Sequence, residues 1–269
     1  MTTDNLLPTY FISHGGGPWL WVPKMRETFA NLEQSLLDMV AAWDEPPKAI
    51  LMVSGHWEGD EIEVMATPKP PMVYDYYNFP KETYEVVYPA KGAPELAART
   101  LELLQEAGFK ASLNTERGFD HGVFVPMAAM YPEADIPLFQ VSILSSYDPA
   151  THFDLGRALS ALRREGVMII GSGLSYHNLK HLGPEAAVPS AAFDEWLNDI
   201  MLLPASERRA KLEDWASAPY ARMCHPEEDH LVPLFVALGA AEEEEATNIY
   251  QEANLMGGIS ASGFRFGTL

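Results

Sequence analysis

The sequence predicts an α/β protein: one domain over residues 1–269, with a central mostly parallel or mixed sheet and helices on both faces. Three observations carry that prediction. Short apolar runs alternate with stretches at helical spacing, the pattern of a sheet buried beneath helices on each side. No Pro/Gly/Ser-rich linker divides the chain, and no unit of about 20–50 residues repeats. Hydrophobic residues make up 47% of the 269, enough for a sizeable core.

Each element follows in order. Thr9 to Ser13 (TYFIS) reads as a buried strand that stops at His14-Gly15-Gly16-Gly17-Pro18. Lys24 to Trp43 carries Met25, Phe29, Leu32, Leu36, Met39, Val40 and Trp43 at helical spacing, and Pro46-Pro47 closes it. Lys48 to Ser54 (KAILMVS) is a second buried strand, ending in Gly55-His56-Trp57, and Ile62 to Met65 is a short one. Thr67 to Pro94 is too rich in proline for one helix and too aromatic for disorder, so an ordered loop is expected, with one short helix within Phe79 to Val87. Ala93 to Ala107 is helical and Gly108 caps it; Lys110 to Leu113 is a strand. Gly118 to Gly122 (GFDHG) is a turn into a helix around Val125 to Met130. Ile136 to Ile143 is a strand, Pro149 to Glu165 a helix, and Val167 to Gly171 (VMIIG) a buried strand running into Ser172-Gly173 and Tyr176-His177-Asn178. Two or three helices occupy Ser190 to Leu238, and Asn248 to Phe266 forms one or two strands joined at Gly257-Gly258.

Charge and cysteine content narrow the function. A net charge of −20 argues against gripping a phosphate backbone or an anionic membrane, which needs clustered Lys and Arg. The single cysteine, Cys224, allows neither an intramolecular disulfide nor a Cys-rich zinc module. The stretch MTTDNLLPTYFISHGGG has no signal-peptide pattern, and no apolar run is long enough to span a bilayer, so a cytoplasmic location is expected. The acidic run Glu242 to Glu245 reads as a solvated loop or helix end.

The histidines hold the chemistry. Of eight, His14, His56 and His177 each fall just after a strand-like run, and in an open α/β sheet the carboxyl ends of the strands form the ligand crevice. Three imidazoles in one crevice are what a borderline metal such as Zn(II) or Fe(II) needs. His230 lies beside a helix, Leu231 to Leu238, and could be the third ligand from its inward face. Any one of these could instead be a hydrogen-bonded core histidine. Asp120-His121 reads either as a functional pair or as a turn capping the next helix. His152 reads as a surface or cap residue, and neither His181, His225 nor Cys224 attracts a role. A G-x-S-x-G elbow, a phosphate-binding loop, a dinucleotide fingerprint and an H-E-x-x-H motif are all missing from the sequence.

The residues resemble a known family. Phe11-Ile12-Ser13-His14-Gly15, Val53-Ser54-Gly55-His56-Trp57, Gly118-Phe119-Asp120-His121-Gly122, Tyr131 to Pro137, Gly171-Ser172-Gly173, His177-Asn178 and His230-Leu231-Val232-Pro233-Leu234 occur in the order found in class III extradiol ring-cleaving dioxygenases of the LigB superfamily. The likeness is to the DOPA-dioxygenase-like branch and covers nearly the whole chain. It implies an α/β fold and an oxidoreductase that opens a catechol ring beside its two hydroxyls, giving a semialdehyde. The partners it implies are a small catechol and O₂, and the cofactor a non-haem metal: Fe(II) for activity, with Zn(II) able to take the same site. Carried over by position, the ligands are His14, His56 and His230. His177 is the acid–base catalyst, and His121 a catalytic or substrate-contacting residue. Asp120 orients His121 or the turn, and Tyr176 and Asp120 stand beside the substrate. The Pro/Tyr-rich segment, with Tyr74, Tyr76, Tyr77 and Phe79, is either a wall for the aromatic ring or a packed structural loop. Two other readings fit the same histidines: a zinc hydrolase using metal-bound water, and a non-catalytic relative that only binds metal.

Overall fold

Strand β1 (Thr9–Ser13) is apolar enough to be buried along its whole length, and it becomes the middle of the main sheet. The computed structural model describes residues 6–269. After β1 come α1 (Pro23–Thr28) and α2 (Ala30–Ala41), not one helix over Lys24 to Trp43. The break is at Phe29, which leaves helical geometry to bury its ring against Trp19. Next are β2 (Ala49–Ser54), β3 (Glu58–Gly59) and β4 (Ile62–Met65). The segment 67–93 is irregular, with one 3₁₀ turn at Lys81–Tyr84, as its prolines require.

The chain continues with α3 (Pro94–Glu106), β5 (Ala111–Asn114), α4 (His121–Met130), β6 (Leu138–Gln140), β7 (Ile143–Leu144) and α5 (Pro149–Leu159). The expected single strand over Ile136 to Ile143 is therefore split: β6 pairs with β2, and β7 leaves to pair with β3 in a small separate sheet. A 3₁₀ turn, Ser160–Arg163, takes the end of the helix expected to reach Glu165. Then come β8 (Val167–Gly173), α6 (Ala187–Met201), α7 (Ala205–Glu213), α8 (Ala221–Cys224) and α9 (Val232–Gly239). The hairpin β9 (Ala246–Leu255) and β10 (Ile259–Phe266) ends the chain.

The main sheet has strand order β6-β2-β8-β1-β10-β9. Its first four strands are parallel and the last two run antiparallel, so the sheet is mixed. Helix α9, backed by α5, covers β8 and β1, while α4, backed by α2, lies against β2 and β8. All residues of β1, β2 and β8 are buried, as strands covered on both faces must be. No helix among the described residues is long and apolar enough to cross a membrane.

One expectation about a polar residue needs correction, and another gains detail. His152 is neither a surface nor a cap residue; it is fully buried in α5, with Nδ1 donating to the Asp148 carbonyl (2.7 Å) and Nε2 accepting from the Leu144 amide (3.0 Å). The acidic run is a loop, as allowed, but it is held rather than merely solvated. Glu242 pairs with Arg157 and Arg209, Glu244 pairs with Arg163, and Arg208 donates to the carbonyls of both glutamates.

Candidate metal and active site

The parallel strands deliver their histidines to one end of the sheet. His14 directly follows β1; its amide donates to the Gly173 carbonyl (3.2 Å) and its carbonyl accepts from the Trp19 indole (2.8 Å). His56 lies just beyond β2; its amide donates to Ser54 Oγ (3.2 Å) and its carbonyl accepts from Arg117 Nη2 (3.3 Å). His230 is not helix-borne. It ends the loop before α9, and its carbonyl accepts from the Leu174 amide (3.0 Å) beyond β8. Two glycines make that approach possible. A Cβ at Gly173 would lie 2.1 Å from the His230 carbonyl oxygen, and one at Gly55 would lie 2.7 Å from that of Asp229.

The three rings converge. His56 Nε2 stands 3.2 Å from His14 Nε2 and 3.1 Å from His230 Nε2. Their other nitrogens face acceptors, which favours the Nδ1–H tautomer. His230 Nδ1 donates to Asp229 Oδ2 (2.7 Å), and His56 Nδ1 lies 3.4 Å from Asp75 Oδ2. The Ser172 hydroxyl gives its hydrogen to the Gly122 carbonyl, so Ser172 Oγ accepts from His14 Nδ1 (3.0 Å). Each Nε2 therefore turns a bare lone pair toward the others. Such lone pairs repel unless a cation lies between them. A metal holding nitrogens at about 2.0–2.1 Å sets neighbouring donors roughly 3.0–3.4 Å apart, so the trio fits one.

The electrostatics agree with the fit. Burial and the neighbouring rings hold His14 and His56 well below the ordinary histidine value. Burial pulls His230 down to about 4 despite its bond to Asp229. Burial opposes ionisation of Asp75 and Asp229, yet contacts from His121 to the first, and from His177 and His230 to the second, keep both below the usual carboxylate range. Near neutral pH the cluster is thus neutral imidazoles flanked by two carboxylates, a charge pattern that suits a divalent cation.

The other predicted residues are placed as follows. His177 lies beyond β8; its ring stacks on that of His230 with centroids 3.4 Å apart, and its Nδ1 is 3.6 Å from Asp229 Oδ1. His121 opens α4 and stands 4.1 Å from His56, ring to ring. Its amide and Nδ1 both donate to Asp75 Oδ1, at 3.0 and 2.8 Å. Two groups of ligand atoms lie within 4.8 Å of one another: His14, His56 and His121, and His177, Asp229 and His230.

Of the two expected targets, His121 or the turn, the Asp120 side chain bonds the turn, through Arg117 three residues before it. Fully buried, it accepts from Ser54 Oγ and Arg117 Nη2, each at 2.7 Å, and these two residues hold the backbone of His56. The Asp120 side chain does not cap α4. Tyr176 is buried, with its hydroxyl spent on the His181 carbonyl (2.6 Å). In the Pro/Tyr-rich segment, Tyr74, Tyr76 and Phe79 pack in an aromatic cluster with Tyr84 and Phe124, and Tyr77 points outward. Of the aromatic rings in that segment, that of Tyr76 meets a site ring, at 5.9 Å from His121.

Sequence reasoning passed over Asp75, Asp229, Ser172 and Arg117. Asp229 had a visible signal, since it precedes His230 as Asp120 precedes His121. Asp75 had none, because it reaches His121 from an irregular loop 46 residues away.

Comparison with known proteins places this geometry in context. Residues 8–267 match the family described as the catalytic LigB subunit of aromatic ring-opening dioxygenase. The chain is 39% identical to the 4,5-DOPA dioxygenase extradiol of Beta vulgaris, over 98% of this chain and 97% of that one. It is 37% identical to the 4,5-DOPA dioxygenase extradiol of Escherichia coli K12, over 98% and 96%. The crystal structure of an uncharacterized protein from Escherichia coli K12 superposes with a TM-score of 0.78 at 30% identity, covering 97% of this chain and all of the other.

Proposed function

Because the chain belongs to the LigB family and is an extradiol ring-cleaving dioxygenase acting on a small aromatic substrate with O₂, we propose that the reaction runs at the histidine cluster, with His14, His56 and His230 holding the metal. The single observation that carries this is the meeting of three bare Nε2 atoms around His56, at 3.1 and 3.2 Å. His121 is the weaker third donor. It belongs to a group with His14 and His56 whose ligand atoms lie within 4.8 Å of one another, but its Nδ1 is committed to Asp75.

Fe(II) is the metal proposed for activity, since it supplies the electron path between an aromatic diol and O₂; Zn(II) fits the same donors and would leave the protein inactive. The chain's own residues handle the protons and the positioning. His177, half-buried at the rim and steadied by the His230 ring, takes a phenolic proton and returns it as the ring opens. His121, with Nδ1–H anchored on Asp75, offers Nε2 as an acceptor to a substrate hydroxyl. The buried walls around His14 and Tyr76 limit water at the reacting carbons. The substrate proposed is a DOPA-type catechol, on the strength of the relatives' activity. One C–C bond of the ring beside the diol breaks, and both atoms of O₂ enter the product, one in a new carboxylate and one in an aldehyde.

The test is anaerobic loading with Fe(II), then addition of DOPA, caffeate or protocatechuate and oxygen. Oxygen uptake with a yellow semialdehyde is the expected result. Iron-loaded protein that consumes no oxygen with any catechol would overturn the reading.

A further inference from the structure

Two carboxylates flank the cluster in parallel fashion. Asp75 Oδ1 accepts from His121 Nδ1 at 2.8 Å, and its Oδ2 lies 3.4 Å from His56 Nδ1. Asp229 Oδ2 accepts from His230 Nδ1 at 2.7 Å, and its Oδ1 lies 3.6 Å from His177 Nδ1. Each carboxylate spans one histidine of the proposed ligand trio and one on the substrate side. His14, the remaining ligand, faces the Ser172 hydroxyl instead.

The short and long arms are reversed between the two. Charge-assisted hydrogen bonds are strong at about 2.7–2.9 Å and weak beyond about 3.2 Å. Asp229 therefore grips a ligand and only leans on the base. Asp75 grips a substrate-side histidine and only leans on a ligand. We propose that Asp75 and Asp229 are positioning residues with crossed duties: Asp229 governs the hold on the metal through His230, and Asp75 governs the hold on the substrate through His121. The inference rests on the ligand and base assignments above.

Its physical logic is charge supply. Three imidazole ligands bring no negative charge, so the anions that balance a divalent ion must stand outside them, and the acceptor on Nδ1 sets how strongly the opposite nitrogen donates. Asp75 adds a second coupling. It belongs to the irregular aromatic segment, and its neighbour Tyr76 packs on His121, so the same short stretch anchors that ring twice.

The test compares Asp75→Asn with Asp229→Asn, which keep shape and an acceptor but lose charge, and adds the alanine variants, which lose the acceptor too. Zinc affinity is read by chelator competition, independently of turnover. Asp229→Asn is expected to weaken zinc about 10–100-fold and Asp75→Asn less than about threefold, within the range of such outer contacts. In ¹⁵N-histidine spectra of the zinc-loaded protein, His121 is expected to stay Nδ1–H in Asp229→Ala and to become mixed in Asp75→Ala, with Asn at position 75 restoring it. With Fe(II), Asp75→Asn is expected to raise the catechol KM about tenfold with a smaller change in kcat. Equal losses of zinc affinity in the two Asn variants, or an unmoved His121 tautomer in Asp75→Ala, would overturn the proposal. Should an alanine variant fail to fold, the Asn pair decides through zinc affinity and KM. Zinc retained by His14→Ala would defeat the ligand assignment instead, a separate result.

Discussion

His152 and His225 are buried as deeply as His14 and His230, yet they stand in a different kind of surroundings. Both ring nitrogens of His152 are spent on backbone, at Asp148 and Leu144. His225 donates Nε2 to the Ser175 carbonyl (2.9 Å) and packs between Phe193 and Trp215, with Nδ1 facing no partner. Burial lowers the proton affinity in both regions, bringing His225 to about 3 and His230 to about 4. What separates them is the direction of the bare lone pair. At the strand ends three of them meet; under the helices none meets another. Burial alone is thus no sign of a metal ligand, whereas convergent unprotonated nitrogens with acceptors behind them are.

The largest effect should come from His56, the ring common to both close contacts. His56→Ala is expected to lose more than about 100-fold in metal affinity, while His152→Ala keeps full metal content by elemental analysis. Full metal in His56→Ala would erase the distinction between the two regions. Next comes His177→Ala, which should retain metal and lose about 10²–10⁴ in turnover, since it holds a proton rather than the ion. Near-normal turnover would remove the base assignment.

Acid should sharpen the contrast in a third way. His225, at about 3 in the fold against 6.5 unfolded, takes up a proton more readily in the unfolded chain. Its stabilisation is complete above about 6.5 and is lost as the pH falls toward 3. Unfolding midpoints should fall over that window, and metal should leave toward its lower end, as His230, brought to about 4, takes up a proton. A midpoint flat from pH 7 to 4 would contradict this. The smallest effect is on stability alone: His152→Ala strands the Leu144 amide and should cost about 1–3 kcal/mol in denaturant unfolding.

The same contrast shows what the sequence reveals. His14, His56 and His177 were legible because an apolar run ending in a histidine marks a strand end, and strand ends define the crevice of an α/β sheet. The strands β1, β2 and β8 and the final hairpin were legible for the same reason, since local pattern and burial agree there. The break at Phe29 and the split after β6 were not, because each is imposed by a tertiary partner, the Trp19 ring in one case and β3 in the other. The partners of the histidines were hardest. Asp75 and Ser172 meet their rings across 46 and 158 positions, and nothing local records such a meeting. His152 was misread because its backbone partners look, in sequence, like an ordinary helix start.

The placing of β1 between β8 and β10 bears on how the molecule is made. Strand β1 has no sheet neighbour until residues 167–173 and then 259–266 have been synthesised. The nascent chain must therefore carry β1 unpaired until β8 is made, and pairing across such distances is slow. On the proposed ligand set, a metal could be held only after His230 had been made, and a product interrupted before β10 would leave β1 without one of its two sheet neighbours.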